Sequence, residues 1–487
     1  MNSLRSRTGR ALAWDLFGSY GGQIVGFIIS IFLARLLEPA EFGLVGMSLV
    51  FINILRVFVD MGFASALVQN KQNTSLTYSS IFYINILAGF LFAIIIFFSA
   101  PLIGAFYENE NVTVLVRLFS ITFIVSAFNI VQSTILRRNL DFKILTLRGL
   151  FSQILAGIVA VIFAFYGFGI YALVIQNILA AVINTIILWK VSEWYPKWEF
   201  SWKEVKKLTN FSAYVFASQS VNQIIVQSDT LIIGKLFSPA TLGYFSRANS
   251  VSSLINKNAM SSITRVFFPV LSSIQDDEQR FREVYLRVIN IVATISIFIT
   301  GVFFLCGEEL IIGLFGIKWE PSVFIFQILI IKGFTYPISA MIVNAFIAKG
   351  KSKENFKFGN IRKVVQLTPL FIAYFFGFQE FLYALVGASL MNWLLNNYFI
   401  TRSLNISFGS QTKAVLPHLL FTVAIAGILY TLFPEERNYL LAIVKVILFV
   451  LSYIGYLYLT KAVLFKESLQ YKTAIQNKIK QLLNIVQ

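Results

Sequence analysis

The decapeptide ARLLEPAEFG at Ala34–Gly43 returns 200 residues later as GKLFSPATLG at Gly234–Gly243. Arg35 is matched by Lys235, Leu36 by Leu236, Pro39 by Pro239, Ala40 by Ala240 and Gly43 by Gly243. One such match could be chance, so its meaning depends on whether the rest of the chain keeps step. It does. LIGAF at Leu102–Phe106 answers IIGLF at Ile311–Phe315, and Phe142-Lys143 answers Phe356-Lys357. YALV occurs at Tyr171–Val174 and at Tyr383–Val386, and Asn184 falls opposite Asn396 at the same spacing. Six helices thus repeat as six. An even number per repeat keeps both copies in one orientation, which predicts parallel repeats about an axis along the membrane normal. Each proline opens the second helix of its half, where its missing N–H is no loss.

Composition supplies the solvent. The chain has 487 residues, 57% hydrophobic and 13% charged, with a mean hydropathy of +0.74. Soluble domains run near 45–50% apolar and about 25% charged, so this is an all-α integral membrane protein. Apolar runs of about 20 residues or more predict about fourteen transmembrane helices. The expected organisation is an N-lobe of six helices at 1–193 and a cytoplasmic linker at 194–207. A C-lobe of six at 208–405 follows, then two further helices at 406–465 and an amphipathic tail at 466–487. That tail sets Ile475, Ile479, Leu482 and Val486 on one face, a pattern that suits the membrane surface. The basic N-terminus leads into a first helix rather than a cleaved signal.

The net charge of +17 is a topology signal, not a nucleic-acid footprint. Of the 40 Lys and Arg, 29 fall in alternate loops, the helix ends beside them and the two termini, whereas 4 fall in the opposite loops. This bias predicts that both ends are cytoplasmic. One cysteine, Cys306, and one histidine, His418, leave little for disulfides, metal ligation or His-based catalysis.

Seven basic residues remain inside spans: Arg56, Arg117, Arg247, Lys257, Arg265, Lys332 and Lys445. Only three acids accompany them, Asp15, Asp60 and Asp229. A charge at bilayer depth costs about 2.5–3.5 kcal/mol or more, so such residues usually turn to a bundle interior or a wet cavity. Arg117, Arg265 and Lys445 lie near helix ends and can snorkel. Arg56 and Asp60, four residues apart, either neutralise each other on one helix or turn to a cavity. Arg247, Lys257 and Lys332 have no acid within a turn on their own helices. The eighth span, SRANSVSSLINKNAMSS at Ser246–Ser262, carries Asn249 and Asn256 near an arc of serines and Lys257. The seventh carries Gln219, Asn222, Gln223 and Gln227 on one face, followed by Asp229. The expected substrate-binding set is Arg56, Arg247, Lys257, Lys332, Gln23, Gln219, Gln223 and Asn256, around a cavity suited to an anion. In the first span Gly18, Gly22, Gly26 and Ser30 recur every fourth residue, a spacing that admits a neighbouring helix.

The N-terminal stretch GRALAWDLFGSYGGQIVGFIISIFLARLLEPAEFGLVGM, with DMGFASALVQ at Asp60–Gln69, resembles the bacterial polysaccharide exporters. These are the Wzx-type flippases of the multidrug/oligosaccharidyl-lipid/polysaccharide (MOP) superfamily, on the O-antigen, teichuronic acid and exopolysaccharide branch. The resemblance covers essentially the full chain. It implies a MATE/MOP-like fold in the bacterial inner membrane and a transporter rather than an enzyme. It also implies a polyprenyl-pyrophosphate-linked oligosaccharide as substrate, with membrane lipid and other polysaccharide assembly proteins as partners. No bound cofactor is implied. Sodium or proton coupling is, with Asp229 and Asp60 as the ion-coupling candidates and Asn360, Gln366, Ser389 and Asn392 as further ligands. The rivals are a multidrug antiporter of the same superfamily and a membrane glycan polymerase or glycosyltransferase. Cationic drugs suit buried carboxylates better than embedded cations, and the short outer loops hold no paired acids with a base.

Overall fold

The computed structural model describes residues 2–433 and 438–460, with side-chain positions for 9–256, 267–433 and 438–460. The expected tail at 466–487 lies outside the described residues. The described chain is helical almost throughout. Its first helices are α1 (Asn2–Leu36), α2 (Pro39–Asp60), α3 (Phe63–Gln69), α4 (Ser75–Tyr107), α5 (Glu110–Ala127) and α6 (Ile130–Arg138). Next come α7 (Phe142–Phe165), α8 (Tyr171–Val191), α9 (Trp202–Leu236), α10 (Pro239–Ser273), α11 (Glu278–Leu305) and α12 (Gly307–Phe315). After a short 3-10 turn follow α13 (Pro321–Gly333), α14 (Thr335–Ala348), α15 (Ser352–Phe376), α16 (Phe378–Leu404), α17 (Phe408–Leu432) and α18 (Tyr439–Leu459).

Ten segments among the described residues are long and apolar enough to cross a membrane. Helices α9, α10, α15 and α16 reach the necessary length, at 25 to 35 residues, but carry too many polar groups to join them. Three expected spans are broken. The second divides at Met61-Gly62, where both residues have positive φ, and the Asp60 carboxylate accepts the Ala64 N–H at 2.9 Å. The fourth divides between α5 and α6, and the tenth between α13 and α14.

The chain separates into two compact units, Met1–Ser246 and Arg247–Gln487. The expected inter-lobe linker at 194–207 therefore lies inside the first of them. In the first unit α1 runs along α7, α4 along α5, and α2 lies against both α5 and α9. The small-residue stripe on α1 is where α7 comes close. A Cβ at Gly18 would lie 2.4 Å from the Thr146 hydroxyl and one at Gly26 2.5 Å from the Gln153 amide. Lipid chains are as apolar as leucine, so helices in a bilayer gain from such close approach rather than from hydrophobic burial alone. Outward-facing Leu12, Phe17, Ile24, Ile28 and Phe32 are correspondingly exposed on the same helix. In the second unit α11 is the central post, packed on α14, α13, α17 and α18. Its buried Tyr285, Val288, Val292 and Ile297 meet Met341, Ile342 and Val415 in one core.

The repeated decapeptides meet inside the first unit. A Cβ at Gly43 would sit 1.7 Å from the Pro239 carbonyl oxygen, and one at Gly243 would sit 1.9 Å from that of Pro39. Each hairpin thus rests its glycine on the other's proline backbone, a reciprocal contact. Beside it the Lys235 ammonium donates to Glu108 at 2.8 Å and lies over the Phe106 ring. Lys235 holds the Glu108 carboxyl below its ordinary range. The pair's contribution is therefore present above a pH of about 4.3 and is lost as pH falls through the lowered value.

Replacing Gly43 or Gly243 by valine forces backbone apart at this junction, and overpacking costs about 1–3 kcal/mol or more. The expected outcome is a melting temperature several degrees lower for the detergent-solubilised protein. An unchanged melting curve for Gly43→Val would show that the hairpins do not rest on one another.

Candidate functional site

The polar helices of the second unit wall a cavity of about 320 Å³. Helix α10 contributes Asn249, Ser252, Ser253 and Asn256, and the α13–α14 junction contributes Lys332, Gly333, Thr335, Tyr336 and Ser339. Helices α15 and α16 supply Arg362, Gln366, Ser389, Asn392 and Asn396, with a few apolar neighbours. Three of its walls, α10, α15 and α16, are among the helices too polar to count as membrane spans. Their polarity is explained by what they face. The break between α13 and α14 also belongs to this wall. Asn256 donates to the Ser252 hydroxyl at 3.2 Å, and a Cβ at Gly333 would lie 1.9 Å from the Asn256 amide. A side chain at 333 would have to displace the Asn256 amide.

Among the described residues, the charged groups lining the cavity are Lys332 and Arg362, with no carboxylate. Arg362 is held in place from two sides, donating to Asn396 Oδ1 at 2.9 Å and to Asn355 Oδ1 at 3.1 Å. Asn396 in turn donates to Ser339 at 3.2 Å. The Asn392 side-chain oxygen is buried without a partner. A cavity wall with two cations and several amides favours an anion and repels a cation. Among the described residues no cluster of three or more acids, histidines and cysteines stands ready for a metal.

Of the expected binding residues, this cavity gathers Lys332 and Asn256. Arg247, half-buried on α10, lies outside its wall, and the Lys257 side chain lies outside the described residues. Gln23, Arg56 and Gln219 belong to the first unit and are exposed, while Gln223, Asp229 and Asp60 there are half-buried. Arg56 and Asp60 form no ion pair. The Asp60 carboxylate turns instead to the first turn of α3, where backbone N–H groups would otherwise lack acceptors. Gln366, Ser389 and Asn392, expected near a coupling ion, share the cavity with the two cations. His418 is a core residue of α17, its Nε2 within 3.1 Å of Thr294 and 3.2 Å of Asn290.

Arg362 was grouped with the basic loop ends in the sequence reading, and the structure turns it to the cavity. The signal was present in the repeat. The register that pairs Phe142-Lys143 with Phe356-Lys357 also pairs Arg148 with Arg362, six residues further on. Arg148 likewise lines a cavity, of about 420 Å³, in the first unit. Next to it, a second hollow of about 390 Å³ between α7 and α8 holds Ser152, Gln176, Asn177 and Asn184.

Gly333→Ala is expected to push the Asn256 amide off Ser252 and to destabilise the protein by about 1 kcal/mol, the scale of the lost hydrogen bond. In an Asn256→Ala background the same change should cost clearly less, as a double-mutant cycle in thermal melting would read. Additive effects would mean that the two side chains do not meet.

A family model described as "Polysaccharide biosynthesis protein" matches residues 32–324. Teichuronic acid biosynthesis protein TuaB of Bacillus subtilis (strain 168) is 25% identical over 380 residues, 77% of this chain and 78% of that protein. Succinoglycan biosynthesis transport protein ExoT of Rhizobium meliloti (strain 1021) is 25% identical over 334 residues, 68% of each chain. Among solved structures, lipid II flippase MurJ in an inward closed conformation is similar with a TM-score of 0.69 and 17% identity. That match covers 95% of this chain and 99% of the other, a likeness of fold.

Proposed function

This chain belongs to the polysaccharide biosynthesis protein family, and from that premise we propose that it is a flippase for a polyprenyl-pyrophosphate-linked oligosaccharide. It is a multi-pass membrane protein, with ten segments fit to span. In this reading about fourteen spans in two lobes carry the glycan across the inner membrane by alternating access while the lipid tail stays in the bilayer. The observation that carries the reading is the cavity whose described lining residues include Lys332 and Arg362 and no carboxylate. A ligand that enters it gains by bringing negative charge, as a pyrophosphate or an acidic sugar does. Arg56, Arg247 and Lys257 also belong to the proposed cation set, since the spans carry seven basic residues against three acids. Sodium or proton coupling through Asp229 belongs to the same proposal, and a transport rate indifferent to both gradients removes it.

The test is made on a strain lacking this protein. Its extracted lipids should accumulate polyprenyl-pyrophosphate oligosaccharide, and the wild-type chain should clear it. A Lys332→Ala, Arg362→Gln double variant, present at normal level, should clear it at least about tenfold more slowly, the scale of a lost charge-assisted hydrogen bond. No accumulation, with sensitivity to lipophilic cations instead, would replace the proposal by a drug antiporter.

A further inference from the structure

The first unit holds a cavity that the cation set above does not use. It opens between α1, the end of α6 and α7, on the side that the basic loops assign to the cytoplasm. Arg137 and Arg148 line it, with the neutral polar side chains of Ser19 and Gln153. The Thr146 hydroxyl is already committed, donating to the Trp14 carbonyl at 2.9 Å. Asp15 is the one acid among the described residues on its wall. Asp15 is exposed and forms no ion pair with either arginine.

Arg148 is the informative residue. Its Nε and Nη1 are buried and have no hydrogen-bond partner in the protein. Buried guanidinium donors left unbonded are rare because their lost hydration has nothing to offset it. The repeat supplies a control. At the equivalent place Arg362 is satisfied by Asn396 and Asn355. In the first half those acceptors correspond to Asn184 and Asp141. The Asn184 side-chain oxygen is itself buried without a partner, and Asp141 makes no ion pair with Arg148. The same scaffold therefore locks one arginine and leaves its twin open, with a second arginine beside it. Like charges placed together on a cavity wall call for an anion, and the guanidinium fork matches a phosphate group in two-point geometry.

We propose that this first-unit cavity is a phosphate-binding site in which Arg148 and Arg137 hold a phosphate or pyrophosphate group. The group has two sources with the same chemistry, the head of a polyprenyl-linked substrate or a free phosphate ion. The first source rests on the flippase reading, and the second does not.

The experiment uses the full chain in lipid nanodiscs and titrates inorganic pyrophosphate by calorimetry, then repeats the titration with nanodiscs carrying undecaprenyl pyrophosphate. The wild type should bind at least one probe saturably. Arg148→Gln and Arg137→Gln should each weaken that binding about tenfold or more. Arg148→Lys, which keeps the charge and loses the fork, should fall between. Asp15→Asn should tighten it. Because Arg137 is exposed, its variant tests the site even if Arg148→Gln does not fold. Binding of the lipid probe alone identifies the substrate head as the source, and binding of the inorganic probe alone identifies a free ion. No binding of either probe, or binding equal in all the arginine variants, overturns the proposal. If the flippase reading fails, the inorganic arm still decides this one.

Discussion

The constraint on which the first unit turns is a reciprocal backbone contact between two helix starts that carry the same short sequence pattern. Gly43 lies on the carbonyl of Pro239 and Gly243 on that of Pro39, so neither hairpin can move toward the other and neither tolerates a side chain there. Such a contact is possible because both residues of each pair are small or rigid. Glycine offers no Cβ, and proline at the first helical position holds its backbone in a preset conformation. The contact also ties the start of α2 to the start of α10, the two helices whose polar residues drew the functional reading.

Away from that junction, packing and polarity divide the work. Membrane helices cannot rely on hydrophobic burial to find one another, since the surrounding lipid is equally apolar. Small residues on α1 let α7 in, and the thin, exposed apolar faces meet lipid. Polar groups are then free to mark where water and ligand go, because a buried amide or charge at this depth must be satisfied or must face a cavity. Helices α10, α15 and α16 are too polar to read as spans, and all three wall the cavity of the second unit. The glycine at the α13–α14 break belongs to the same logic, since it brings Lys332 and Asn256 to one wall.

The repeated segments place the same residue type in different surroundings. Arg148 and Arg362 occupy equivalent positions, yet one is bare and the other is held by two amides. A locked guanidinium presents a fixed positive wall. An unlocked one has donors to spare and is available to a ligand.

Sequence alone determined the solvent, the all-helical build, the repeated segments and the excess of embedded cations. These properties are written in composition and in local spacing, and they do not depend on which helix touches which. Lys332 and Asn256, which line one cavity, stood out in the sequence as polar residues inside apolar spans. Arg148 and Arg362 did not, because a basic residue one or two turns inside a helix end looks like any loop-flanking charge. Whether Asp60 neutralises Arg56 or turns to a cavity was likewise undecided, and the structure instead gives its carboxylate the Ala64 N–H. Only tertiary structure settled these points. Which way a long side chain turns, and whether its donors find acceptors, depends on neighbours brought in from distant parts of the chain.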